Sequence, residues 1–127
     1  MKNDEARGGT STALPENKVT ESRVAAAEIL ADLRRGELLD AAMQRHAVRL
    51  DWRDRRWLQE LIYGTLRNRE RIDAALATRV RGGLARLDAD LRDTLRLGAY
   101  QLLYMSSVPS YAAIAQTVEL AKARHGI

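Results

Sequence analysis

A chain of 127 residues, 46% of them apolar and 30% charged, is one domain's worth of foldable sequence rather than a disordered tail. The absence of cysteine excludes disulfides, thiolate metal sites and cysteine nucleophiles, and two histidines leave little from which to build a zinc site. A net charge of +4 favours a polyanionic partner, and no uncharged run is long enough for a membrane span or a secretory signal, so the expected location is cytoplasmic.

Two prolines and no phenylalanine, set against abundant Ala, Leu and Arg, predict an all-α protein. Residues 1–19 are small and polar, with a Gly pair and a proline, and read as a flexible leader. From Thr20, a plausible N-cap, the pattern turns helical, with Ala26, Ile29, Leu30 and Leu33 on one side, and Arg34-Arg35-Gly36 ends the run. A second helix over about 38–50 puts Leu39, Ala42, Met43, His46 and Leu50 on one stripe. His46 there is read as a core or boundary histidine, because no partner ligand sits at helical spacing.

The third helix, about 51–68, carries the most information. At about 100° per residue, Leu58, Leu61, Ile62 and Thr65 share one side, while Arg53, Arg56, Glu60, Tyr63 and Arg67 share the other. An aromatic flanked by arginines on an exposed stripe suits phosphate gripping and base stacking. The same stripe also reads as a solvated face in which Glu60 pairs with Arg56. Gly64 is costly inside a helix, which predicts a closely approaching neighbour or a local break.

A fourth helix over about 69–80 turns Ile72, Ala75, Leu76 and Val80 inward and is stopped by Gly82-Gly83. The fifth, from near Asp88 to near Met105, is apolar on nearly every side beyond Leu97 and is expected to be the most buried, with Gly98 marking a tight crossing. Pro109 breaks the chain. Ser110 is a natural N-cap for a last helix running to about His125, whose expected buried stripe is Ile114, Val118 and Ala121.

Eighteen arginines stand against three lysines, and ten of those arginines face six acids between Arg34 and Arg71. A guanidinium fork grips phosphate in two places, although a GC-rich genome writes the same excess. No glycine-rich phosphate loop and no strand–helix alternation appears, so no nucleotide or S-adenosylmethionine pocket is legible and no cofactor is expected in this chain. The carboxylates form no evident acid–base couple, and Ser106, Ser107 and Ser110 lack a nearby base. A binding module, not an enzyme, is the reading of the residues themselves.

The run Arg53-Asp54-Arg55, followed by Leu58-Gln59-Glu60-Leu61-Ile62-Tyr63-Gly64-Thr65-Leu66-Arg67, resembles a characteristic segment of the NusB-like domain. The runs Leu95 to Met105 and Val118 to Lys122 resemble that domain's later blocks, in order and spacing. More narrowly, the likeness is to the amino-terminal domain of bacterial ribosomal-RNA cytosine-C5 methyltransferases of the Sun/Fmu type. It implies an all-α bundle of about six to seven helices over 20–127 that holds ribosomal RNA beside a separate catalytic domain. That domain, absent from this chain, would use S-adenosylmethionine and a cysteine. Arg23 resembles the arginine that opens the family's first helix. It joins Arg53, Arg56 and Arg67, chosen by charge and helix phase, and Tyr63, chosen for stacking, as the expected RNA contacts. Two departures stand out: Ala115-Gln116 where the pattern commonly has Asn-Glu, and an end at Ile127 that the resemblance associates with an uncovered apolar patch. A free-standing antitermination factor of the same family, a helical protein-interaction module, and pairing of two copies through helical faces are the other readings.

Overall fold

A computed structural model of the chain describes residues 18–126, so the expected leader falls almost wholly outside the described residues. The elements are α1 Glu21–Arg34, α2 Leu39–Ala47, α3 Trp52–Arg67, α4 Arg69–Ala77, one 3₁₀ turn at Leu84–Arg86, α5 Ala89–Tyr104 and α6 Ser110–His125. The fold is all-α, as composition predicts, with no strand among the described residues.

Helix α1 packs against α2, α3 and α5, and α5 also packs against α3, α4 and α6. The common core holds Ala26, Ile29, Leu58, Leu61, Ile62, Ile72 and Leu97, each 0–1% exposed. Each such Leu or Ile contributes about 1.5–3 kcal/mol by leaving water. Alanines at 25, 26 and 27 are buried in α1, where small side chains let its neighbours close in.

Helix ends are set by local chemistry. The Asp51 carboxylate accepts from the Asp54 amide at 2.9 Å to start α3, and Asp88 accepts from Asp90 at 3.0 Å to start α5. Helix α4 ends at Ala77 with Thr78 as its cap, short of the expected stop at Gly82 and Gly83, whose φ of 84° and 86° turn the chain beyond it. Thr20 is the N-cap residue of α1, as expected. Its hydroxyl accepts from Arg23 Nη1 at 3.2 Å and makes no cap bond, while its carbonyl receives the amides of Arg23 and Val24. Pro109, not Ser110, is the cap residue of α6.

Helix α6 runs back along α5. Arg124 near its end grips Asp90 near the start of α5, and midway Thr117 fills the space beside Gly98, where a Cβ would lie 2.4 Å from its hydroxyl oxygen. That crossing fixes the phase of α6. Ala113 and Leu120 are buried, whereas Ile114 and Val118, expected inside, are 53% and 46% exposed. Expectation also fails at the end of α5, where Leu102 and Leu103 are 46% and 55% exposed. Leu102, Leu103, Ile114 and Val118 are thus apolar residues left in water on α5 and α6.

Two charge networks lock the helices. Arg96, 8% exposed, binds Asp73 of α4 through two nitrogens at 2.7 and 3.0 Å and Asp93 at 3.1 Å, while Arg34 of α1 reaches Asp93 and Asp90 at 2.8 Å each. At the α1–α2 corner the buried Asp32 receives Arg35, Arg45 at 2.7 Å and His46 Nε2 at 2.7 Å. His46 is thus a boundary histidine held by α1.

Candidate nucleic-acid interface

The apolar side of α3 is drawn into the core by Leu58, Leu61, Ile62 and Thr65, which leaves the opposite side in water. Arg53, Arg56, Glu60, Tyr63 and Arg67 are all exposed there, Tyr63 to 39%. The helix is anchored face-down by Gly64. A Cβ at this residue would lie 2.0 Å from Tyr100 Cζ, so only glycine lets α5 approach this closely. The closely approaching neighbour anticipated from Gly64 is therefore a tyrosine ring.

Arginines divide into two populations. Arg34, Arg35, Arg45, Arg49, Arg69, Arg96 and Arg124 each lie within ion-pair distance of a carboxylate. Arg79, Arg86 and Arg92 donate to backbone carbonyls. Among the described residues no carboxylate pairs with Arg53, Arg56 or Arg67, and the Arg56–Glu60 pair that a solvated face would form is not made. The excess of arginine between Arg34 and Arg71 thus overstates the charge on offer, since its first four members are engaged around α1 and α2. What is left includes Arg53, Arg56 and Arg67 on α3, and at the α3–α4 corner Arg67 and Arg71 border, with the paired Arg69 and with Glu70, a depression of about 560 Å³. Guanidiniums without an internal partner on one helix face are suited to an extended anion such as a phosphate backbone.

Arg23 does not join that surface. It is only 9% exposed, because the start of α1 is pressed against α5 and α3. Its Nε donates to Gln101 Oε1 at 2.9 Å, and its guanidinium carbon lies 4.8 Å from the centroid of the Trp57 ring. Burial lowers its pKa from the usual arginine range to about 10, so it stays protonated at neutral pH while serving as a packing element. The resemblance that suggested it identified the residue but not its environment.

Trp52 was missed by the charge argument. It is 58% exposed, begins α3 on the same side as Arg56, Tyr63 and Arg67, and has the Arg53 guanidinium carbon 5.4 Å from its ring centroid. The signal was available in the sequence: spacings of four and eleven residues place Trp52 in phase with Arg56 and Tyr63.

Comparison with known proteins shows the family. The model of the family described as "NusB family" matches residues 20–127. A probable ribosomal RNA small subunit methyltransferase B from Synechocystis sp. is 38% identical over 85 residues, which cover 67% of this chain and 19% of the relative. Ribosomal RNA small subunit methyltransferase B of Pseudomonas putida is 36% identical over 97 residues, covering 76% of this chain and 22% of the relative. Transcription antitermination protein NusB of Caulobacter vibrioides is 39% identical over 71 residues, covering 54% of this chain and 48% of the relative. The chain thus spans about a fifth of the methyltransferase relatives and about half of the antitermination protein. No solved structure matches.

Proposed function

We propose, from the premise that this chain belongs to the NusB family, that it is an RNA-holding module which positions ribosomal RNA for a methyltransferase domain elsewhere in the same protein. The observation that carries the reading is the outer stripe of α3, where Arg53, Arg56 and Arg67 are exposed without carboxylate partners among the described residues and Tyr63 lies among them. Such a surface holds RNA chiefly by neutralising phosphates and releasing counterions. S-adenosylmethionine and the cytosine chemistry would belong to the other domain, with the helical module supplying affinity and orientation. The methyltransferase reading is preferred because the methyltransferase relatives match 67–76% of the chain against 54% for the antitermination relative. Work on ribosomal RNA implies a cytoplasmic setting.

A free-standing antitermination factor is the second reading, favoured by the 39% identity to the Caulobacter vibrioides protein. Both readings need RNA at α3, which a titration of labelled ribosomal-RNA fragments at several salt concentrations tests directly. Binding should weaken steeply with salt, and the combined change Arg53→Glu, Arg56→Glu and Arg67→Glu should abolish it while leaving the helical circular dichroism intact. Equal retention of RNA by this variant and the parent would remove α3 from the interface.

A further inference from the structure

The stripe ends, at the start of α3, in a group that charge alone does not use. Trp52, Arg53, Arg56, Trp57 and Glu60 border a single depression of about 390 Å³. Trp52, Arg56 and Glu60 occupy successive turns of one helix side, spaced about 6 Å apart along the axis. The Trp52 indole is a wide apolar plate left more than half in water, with a guanidinium already near its face. A plate of this kind, flanked by cations, suits the stacking of an unpaired base whose phosphates run past on either side.

Glu60 makes the site selective. An acid on a phosphate-binding stripe repels the backbone, so its presence calls for a donor-rich ligand group at that spot. Among the described residues no Arg, Lys or His lies within ion-pair distance of it, so both oxygens remain free to accept hydrogen bonds. A carboxylate accepts two parallel hydrogen bonds best from two adjacent N–H groups. Of the four RNA bases, guanine alone offers that pair on its Watson–Crick edge, from N1–H and the exocyclic N2 amine. In a duplex this edge is occupied by cytosine, so only an unpaired guanine presents it. The geometry points to a guanine-reading site for single-stranded RNA at the start of α3. The base stacks on Trp52, its N1–H and N2–H donate to Glu60, and Arg53 and Arg56 hold the flanking phosphates. This deepens the RNA-holding reading above and rests on it.

The test is fluorescence anisotropy of the full chain with short oligoribonucleotides: uridine only, and the same sequence with one central guanosine or adenosine. The guanosine oligomer should bind roughly tenfold more tightly than either of the others. Glu60→Ala should bring the guanosine-to-uridine affinity ratio close to one, whatever its effect on overall affinity. Trp52→Ala should weaken binding of the guanosine oligomer roughly tenfold, while Trp52→Phe, which keeps a stacking plate, retains most of it. A parent without guanosine preference, or an unchanged ratio in Glu60→Ala, overturns the proposal. So does parental binding by Trp52→Ala. In each of these cases salt-dependent binding that is lost on reversing Arg53, Arg56 and Arg67 leaves the broader RNA reading standing. A parent that binds none of the oligomers and no ribosomal-RNA fragment at low salt defeats both.

Discussion

The Tyr100 ring occupies the space that a side chain on Gly64 would fill, with Tyr100 Cζ 2.0 Å from the place of the missing Cβ. Tyr100 is itself only 6% exposed and cannot swing away freely. Gly64→Ala gains about 1 kcal/mol in helix propensity but overpacks a buried contact, which typically costs about 1–3 kcal/mol. A net loss of up to about 2 kcal/mol is expected in urea denaturation. Combining it with Tyr100→Ala should cost less than the two single changes added together, because the clash is then gone.

Single truncations on the α3 stripe should separate affinity from stability. Arg56→Ala and Arg67→Ala each remove an exposed cation and should change stability by less than about 0.5 kcal/mol. Each should weaken RNA binding uniformly across sequences and lower the slope of log affinity against log salt by about one. Arg45→Ala, which takes a partner from Asp32 and Glu37, should do the opposite: lower stability and leave the salt slope unchanged.

Acid sensitivity should centre on Asp32. The hydrogen bond from His46 is the largest influence holding its carboxyl below the ordinary aspartate pKa; burial opposes this, and the charges of His46, Arg35 and Arg45 add to the lowering. A carboxylate with a lowered folded pKa binds fewer protons in the folded chain than in the unfolded one. Its contribution is therefore complete above the ordinary value of about 3.9 and is lost as pH falls through the folded value. Asp32→Asn should cost on the order of 2 kcal/mol at neutral pH and flatten the stability-versus-pH curve below about pH 4. Denaturation midpoints at a series of pH values measure both.

Arg96 is the buried cation on which α4 and α5 agree. Removing it leaves Asp73 and Asp93 without their shared partner, so Arg96→Ala should destabilise by about 3 kcal/mol or more. Arg96→Lys should recover only part of that loss, because a single ammonium cannot reproduce the paired bonds to Asp73.

The apolar side of α5 and α6 should tolerate polarity. Leu102→Gln and Val118→Gln, at residues nearly half exposed, should each cost less than about 0.5 kcal/mol in thermal or urea unfolding. Leu97→Ala, one turn away and 1% exposed, should cost about 2–5 kcal/mol.

Strong periodicity made α3 and its two sides readable from sequence, because one side is almost purely aliphatic and the other almost purely charged. The starts of α3 and α5 near Asp51 and Asp88 were legible because their chemistry is local. The extent of α6 was legible but its buried face was not, since alanines and scattered apolar residues let several phases bury equal surface, and the contact between Gly98 and Thr117 decides among them. Arg23 shows the converse limit at the site. Its charge is visible in the sequence, but Trp57 and Gln101, which enclose it, lie 34 and 78 residues away. Trp52 is legible by the helix phase that groups Arg56 with Tyr63, whereas charge alone does not single it out.

The Gln116 side chain spans the two ends of the fold, its Oε1 accepting a hydrogen bond from the Thr20 amide at 2.9 Å and its Nε2 donating one to the Lys18 carbonyl at 3.0 Å. A glutamate there could accept but not donate, so the amide stitches both groups where an acid would hold one. Thr20 therefore acquires its acceptor only once the final helix has docked, and deuterium uptake at that single nitrogen becomes a clock for closure of the whole bundle.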